Sequence, residues 1–278
     1  MLASTEEALK QLQKLLGRKI DISKESFNLV GLKRVNASIY VEARSCVLRG
    51  IDGIQLKMQR CNALLFLPTK SSLNLFLRAM ASSILAIKAL LNKKLVLKST
   101  TALTPNGKAV IFCGETAIKR NTVGWETASG RYELVSSEIS ILSMHKGVLS
   151  VEATPLLNLL NPVSNQTTNL QSRALLADTG FSHKTVDFTI CADKSYFPVS
   201  DVYSLHAEYI KSISSQPVKG LKRLTLLSEH IFLPSLSFEL LPAAFVSQSL
   251  LFLAKQSSMV RVRYPSHKGS FADILNSL

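Results

Sequence analysis

The sequence has few of the residues that define several classes of protein. Only 12 glycines and 9 prolines occur among 278 residues, which excludes a collagen-like repeat, and 46% of the residues are hydrophobic against 19% charged, which excludes a disordered chain. The four cysteines form no close pair of the kind that zinc or thiol-redox chemistry requires. We therefore expect a folded protein in a reducing compartment, with its cysteines acting as small buried hydrophobes: Cys46, Cys61, Cys113 and Cys191.

A long apolar run is also missing. The most apolar stretch, Ala79–Leu91, contains Lys88 and is shorter than the roughly 20 residues that cross a bilayer. At the N-terminus, Glu6 and Glu7 stand where a signal peptide would be basic. These two features predict a cytoplasmic protein that makes no membrane contact.

The first part of the chain shows two helical patterns with strands between them. Apolar residues recur at helical spacing from Thr5 to Leu16, behind acidic residues that favour a helix N-terminus. From Ile20 to Leu67, short runs of Val, Ile and Leu broken by glycine predict a small antiparallel sheet, and 73–91 is a second helix. The length suits one large or two small domains, and we place the boundary after Asn92, giving units of residues 1–92 and 93–278.

The second part begins with strands around a turn. The run LVLKSTTALT is a strand, Pro105-Asn106-Gly107 is a turn, and KAVIFCG is an apolar strand that ends in glycine and opens on a loop. Phosphate-binding units begin in this way. A segment around Trp125 and the strand YELVSSEISIL follow, and the rest predicts mixed strands and helices, closing with VRVRYPSHKG and a helix at 270–278.

The order and spacing of these motifs support a family resemblance. Its elements are Leu97-Lys98-Ser99-Thr100, Asn106-Gly107, Val110-Ile111-Phe112, Gly114 and Leu134-Val135-Ser136-Ser137-Glu138. Together they resemble the HPr kinase/phosphorylase and its relatives, which share a core with phosphoenolpyruvate carboxykinase. The ending VRVRYPSHKGSFADILNSL is similar to the tail of stand-alone relatives found beside peptide-modifying enzymes. The resemblance implies an α/β fold, with a mixed-sheet core of this type behind a small N-terminal α+β subdomain.

The resemblance also implies a phosphate-binding loop that is degenerate here. Counting from Gly114, the second loop glycine falls on Lys119, the lysine on Arg120 and the magnesium-binding hydroxyl on Asn121, with Thr122 next. Residues other than glycine adopt the left-handed conformations of such a loop only at a cost of about 1–2 kcal/mol. Arg120 keeps the charge of lysine but not its compact shape. The backbone cradle for the phosphates is therefore expected to be misshapen.

The acidic strand and the histidine motif depart from the family pattern as well. The first of two neighbouring carboxylates falls on Ser137, so that Glu138 alone is left for the roles of base or metal ligand, and Lys98 stands where the family has histidine. Phosphoryl transfer relies on positioning together with charge stabilisation. These losses predict impaired catalysis.

The alternative is a divergent ATP-dependent kinase, and ATP and magnesium are implied only for this alternative. In such a kinase Lys119 or Arg120 would contact the phosphates, Thr122 would bind magnesium, and Glu138 would act as base or metal ligand.

The five histidines and the serines give no further motif. No two histidines have the spacing of a helical metal site, and no Gly-x-Ser-x-Gly elbow supports a hydrolase triad. We therefore predict no metal site and expect the histidines in loops or at the surface: His145, His183, His206, His230 and His267. Trp125 is expected to pack at the start of a helix.

The net charge of +14 points to an acidic partner. A basic protein attracts nucleic acid, but lysine and arginine are scattered and aromatic residues make up only 7%, so an acidic peptide or protein is the preferred partner. Arg261 and Arg263 are spaced to share one strand face, and Lys98 adds a third charge near the predicted phosphate loop. An exposed edge of the N-terminal sheet would let a peptide add as an extra strand.

The function predicted is that of a catalytically impaired HPr kinase-like protein. Such a protein would bind a peptide or protein, such as a ribosomal precursor peptide, for modification by another enzyme. The oligomeric state is left open.

Overall fold

The computed structural model describes residues 5–42, 44–68, 72–114, 133–136, 138–154 and 196–265. It groups the chain into two compact units. The first contains Met1–Leu97, Ile141–Ser143 and Ile231–Phe252, and the second contains Lys98–Ser140, Met144–His230 and Leu253–Leu278. The boundary between residues 92 and 93 stays a prediction.

The first unit opens with helix α1 (Thr5–Leu16), as the periodicity predicts. Its buried residues are Ala8, Leu12, Leu15 and Leu16, which recur every three to four positions and so form one face. Glu6 and Glu7 lie in the first turn and Lys14 in the last, where each charge stabilises the helix dipole.

A six-stranded sheet follows α1. Its strands are β1 (Asp21–Ser23), β2 (Lys33–Asn36), β3 (Ile39–Glu42), β4 (Ser45–Arg49), β5 (Gln55–Gln59) and β6 (Ala63–Phe66), in the order β1-β6-β5-β4-β3-β2. Neighbours from β2 to β6 are antiparallel, as predicted. The pair of β1 with β6 is parallel, which corrects the expectation of a purely antiparallel sheet: the intervening strands provide the long connection that parallel pairing needs.

Helix α2 (Leu73–Leu91) has the predicted bounds. The Ser72 hydroxyl caps it by accepting from the Leu75 backbone N–H (3.4 Å). Its residues Ile84, Ala86, Ile87 and Leu90 are fully buried, and Lys88 Nζ donates to the Leu15 carbonyl (3.1 Å). The apolar stretch identified in the sequence is therefore a core helix of the first unit.

The strands of the second half are β7 (Leu95–Leu97), β8 (Ser99–Leu103), β9 (Ala109–Gly114), β10 (Glu133–Ser136), β11 (Ser140–His145), β12 (Val148–Glu152), β13 (Tyr196–Glu208), β14 (Ser214–Pro217) and β15 (Ser258–Pro265). Within the second unit, β8 and β9 form the predicted hairpin around Gly107, whose φ is 70°. The single strand predicted over 95–104 is divided at Lys98, because the Lys98 N–H donates to the His230 carbonyl (2.7 Å) and the Ser99 N–H to the Glu138 carbonyl (3.1 Å). The fold is thus mixed α/β, with two mixed sheets.

Three more helices are described: α3 (Lys222–Glu229), α4 (Pro234–Leu240) and α5 (Ala243–Gln256). In the described ranges no single helix is long and apolar enough to cross a membrane; α4 and α5 meet that test only as a pair bent by 116°. The helix predicted at 270–278 and the segment around Trp125 lie outside the described residues.

The cysteine prediction holds for two residues and is wrong for a third. Cys46 and Cys113 are buried free thiols, whereas Cys61 is exposed. Cys61 follows the end of β5, in the turn that leads to β6, where its side chain has no apolar layer to enter. Cys191 lies outside the described residues.

Candidate functional site

The second unit brings the ends of three parallel strands together. β13 pairs in parallel with β9 on one side and with β15 on the other, and the register aligns Gly114, Leu205 and Val262. One face of these strands is apolar: Phe112 stacks on Tyr203 with ring centroids 5.5 Å apart, in a core that includes Leu205 and Val262. Because side chains alternate along a strand, the residues between them lie on the opposite face.

That opposite face is polar at the same level of the sheet. Four residues on neighbouring strands are aligned by the register, in the order Ser99, Cys113, Ser204 and Arg261. They lie at the level of Cys113, the residue that precedes Gly114 in β9. We call these four residues the polar row. Ser99, Cys113 and Ser204 are fully buried, so that every polar group of the row must find its partner inside the protein.

Buried hydroxyls extend the polar row on the side of β8. Ser99 Oγ donates to Ser140 Oγ (2.7 Å), Thr101 Oγ1 lies 2.6 Å from the same oxygen, and Ser136 Oγ lies 3.3 Å from it. All four side chains have no exposed surface. A hydroxyl offers one proton and two lone pairs, so Ser140 can serve all three neighbours and joins β8, β10 and the start of β11.

Two histidines meet at the centre of the polar row. Ser204 Oγ lies 2.8 Å from Nε2 of His206 and 3.2 Å from Nε2 of His230. A serine hydroxyl has one proton and two lone pairs, so it either donates to one ring and accepts from the other or accepts from both. Ser204 therefore links the two imidazole rings through one oxygen.

The two arginines of β15 have different surroundings. They lie on the polar face, on either side of the core residue Val262, as their spacing predicts. Arg263 Nε lies 3.4 Å from Glu208 Oε1, in a pair whose side chains are about 40% exposed (43% and 39%). Arg261 Nε is buried and donates to no acceptor in the structure. In the part of the chain that is described, this Nε–H therefore has no acceptor, although Arg261 as a whole is half-buried.

Three of the residues predicted from the family resemblance are described: Gly114, Lys98 and Glu138. Gly114 is the buried last residue of β9, and Lys98 is an exposed residue between β7 and β8. Glu138 is half-buried and adopts φ 66°, a conformation that costs a non-glycine residue about 1–2 kcal/mol, while its carbonyl accepts from the Ser99 N–H. Glu138 therefore adjoins one end of the polar row.

The predicted loop residues lie outside the described part of the chain: Lys119, Arg120, Asn121 and Thr122. Their roles at a phosphate, and that of Glu138 as a base, stay predictions. Among the described residues no group of three or more His, Cys, Asp or Glu side chains has the geometry of a metal site.

Sequence reasoning missed the centre of the site. His145 and His206 lie within β11 and β13, so the expectation of loop or surface histidines is wrong for these two. His230 lies in the turn after α3, but it is buried and not at the surface. The alternation of Ser204 with His206 on one strand was a signal that could have been used. Nothing in the sequence indicates that His230 reaches the same hydroxyl, because that contact depends on the path of the chain between them.

The comparisons with known proteins give a distant structural resemblance. No protein-family model matches the chain, and no curated protein matches it in sequence. Among solved structures it is similar to the Hpr(Ser) kinase/phosphatase from Coxiella burnetii, at 11% identity and a TM-score of 0.32, over 65% of this chain and 85% of that one. A likeness of this size assigns no activity, so the functional proposal rests on the geometry of the polar face.

Proposed function

We propose that this chain is a catalytically impaired HPr kinase-like protein that binds an acidic peptide or protein, which another enzyme then modifies. The observation that carries the proposal is the buried Nε of Arg261, which has no acceptor among the residues that the structure describes. Arg261 as a whole is half-buried, but its Nε–H is removed from water, and a donor removed from water without an acceptor is costly. A carboxylate or phosphate oxygen supplied by a partner would remove that cost.

The chemistry of the surroundings favours an oxyanion as the group that binds. A guanidinium holds carboxylate or phosphate with two parallel hydrogen bonds. Arg263, two residues along the same face, adds a second charge, and its ion pair with Glu208 is exposed enough to exchange for a partner's carboxylate at little cost. The net charge of +14 adds a long-range attraction for an acidic partner.

The impaired catalysis is proposed from the departures in the phosphate loop, the acidic strand and the histidine motif, together with the surroundings of Glu138. Glu138 adopts a left-handed conformation and its carbonyl accepts from the Ser99 N–H, and Ser137 stands where the resembled family has the neighbouring carboxylate. A phosphoenolpyruvate carboxykinase-like core is part of the same proposal. So is a cytoplasmic location, which the free thiols Cys46, Cys61 and Cys113 fit.

Binding to a labelled glutamate-rich peptide and to its glutamine counterpart tests the proposal. We expect the glutamate peptide alone to bind, and Arg261→Gln to weaken binding by about tenfold or more. Arg49→Gln is the matched control, because it removes the same charge from an exposed residue of the first unit, and it should leave binding within about twofold. Equal losses in the two variants would show that only net charge matters.

Calorimetry with Mg-ATP and an assay of γ-phosphate release test the catalytic part. We expect no turnover near the roughly 1–100 per second of ordinary kinases. Micromolar binding with turnover in that range, abolished by Glu138→Gln and by Arg120→Ala, would replace the proposal with the divergent kinase.

A further inference from the structure

β14 forms an exposed edge beside the arginines. Among the described strands it pairs only with β15, and all four of its residues are exposed. The antiparallel register places Ser214 opposite Arg263, Ser215 opposite Val262 and Gln216 opposite Arg261. An edge strand with free backbone groups is a template for a further strand.

The backbone orientation of β14 follows from one hydrogen bond. The Val218 N–H donates to the Met259 carbonyl (2.8 Å), so Val218 turns its backbone groups towards β15. Because backbone orientation alternates along an antiparallel pair, the N–H and C=O groups of Gln216 and Ser214 also point towards β15, and those of Ser215 point away from it. The outer edge of β14 thus offers the N–H and the carbonyl of Ser215, together with the Pro217 carbonyl.

The two faces of this edge differ in chemistry. Residues opposite one another in a sheet share a face, so Ser214 and Gln216 lie on the face of Arg263 and Arg261. Ser215 lies on the other face, with Val262 and with Ile213, which packs against the apolar core. A strand added outside β14 would lie two strand spacings, about 10 Å, from β15. Long acidic side chains and arginines can approach one another across that gap, over the smaller Ser214 and Gln216.

We propose that the acidic partner binds as an added antiparallel strand along β14, through an extended segment in which acidic residues alternate with apolar ones. This inference rests on the proposed function and specifies its ligand. The acidic side chains lie on the face of Arg261 and Arg263, and the apolar ones on the face of Val262 and Ile213. In an antiparallel pair the partner residue opposite Ser215 exchanges both hydrogen bonds with it, so the apolar residues are those whose amides bond to β14.

The basic edge of the N-terminal sheet fits such a strand less well. Its register with β3 is irregular between Arg34 and Asn36, and Lys33 already pairs with Glu239. A bulge interrupts the regular spacing of backbone groups that an added strand needs. The edge at β14 has an unbroken register over its four residues.

Peptides with blocked amides test the binding mode without altering the protein. The probe is a short peptide alternating Glu and Val, compared with two versions that carry N-methyl groups on the Val amides or on the Glu amides. We expect methylation at Val to weaken binding by about tenfold or more, and methylation at Glu to change it by no more than about twofold. Equal effects of the two versions, or a loss confined to the Glu set, would overturn antiparallel strand addition.

A pair of variants tests the same bond from the side of the protein. Ser215→Pro removes the outward N–H, whereas Ser215→Ala keeps it; we expect the first alone to lose binding. One combination of results separates the two proposals. If the unmethylated peptide binds, if Arg261→Gln weakens that binding and if both methylated peptides bind equally well, then the binding mode is wrong but the proposed function stands. If no Glu-containing peptide binds, the proposed function itself fails.

Discussion

Ser140 is expected to stabilise the second unit through the hydroxyls that meet at its oxygen. The change Ser140→Ala removes this oxygen from Ser99, Thr101 and Ser136 while creating almost no cavity. The contacts of Ser140 Oγ with Ser99 Oγ (2.7 Å) and Thr101 Oγ1 (2.6 Å) contribute most of the stabilisation, because the contact with Ser136 Oγ is longer, at 3.3 Å. A buried polar group that loses its partner costs about 1–3 kcal/mol. Two such losses at about 1.5 kcal/mol each predict a decrease of about 3 kcal/mol in the free energy of unfolding.

Ser143→Ala is the matched control on the same strand, because Ser143 Oγ is buried and has no hydrogen-bond partner in the described ranges. Removing an unsatisfied hydroxyl relieves a cost, so this variant should be as stable as the parent protein or slightly more stable. Urea unfolding followed by far-ultraviolet circular dichroism measures all three proteins. If Ser140→Ala lowers the free energy of unfolding by less than about 0.5 kcal/mol, which is the usual size for a surface substitution, the reasoning is refuted. Equal losses in the two variants would refute it as well.

Two further predictions concern the first unit. Burial raises the pKa of the Cys46 thiol from 9.0 to about 12, so above pH 9 the unfolded chain loses this proton and the folded chain keeps it. The contribution of the protonated Cys46 thiol to the free energy of unfolding is fully present below pH 9. It decreases by about 1.4 kcal/mol per pH unit as the pH rises towards 12. Unfolding titrations should show the stability advantage of the parent protein over Cys46→Ala shrinking in that window. Parallel stability curves for the two proteins would contradict this. At Gly50 an added Cβ would lie 2.7 Å from Phe76 Cδ2. Gly50→Ala should therefore cost about 1–3 kcal/mol through overpacking, and a double-mutant cycle with Phe76→Leu should recover part of it; strictly additive effects would disprove the clash.

The strand that ends at Gly114 shows how local patterns predicted part of the site. An apolar run after a Pro-Asn-Gly turn specifies a hairpin, because glycine adopts the positive φ that the turn requires and the apolar residues need burial. Alternation likewise placed Arg261 and Arg263 on one face of β15. These features depend on neighbours within a few residues, so the sequence contains the information that determines them.

The contacts at the centre of the polar row depend on distant parts of the chain. Ser204 and His230 are 26 positions apart, and Ser99 and Ser140 are 41 apart. Their meeting follows from the order of strands in the sheet, which no periodicity encodes. The same holds for the burial of His230: a histidine after a short helix is equally compatible with solvent until the packing around it is known.

The sequence by itself determined the helices α1 and α2, the antiparallel strands β2 to β6, the hairpin of β8 and β9, and the basic charge, since each is a property of residue type and short spacing. Only the tertiary structure decided that β1 pairs in parallel with β6, that Cys61 is exposed, and that Arg261 lies with a buried, unsatisfied donor beside the edge strand β14. Burial and partnership of a polar group are set by what the rest of the chain places around it. The functional proposal therefore depends on a feature that became visible only after the strands were aligned.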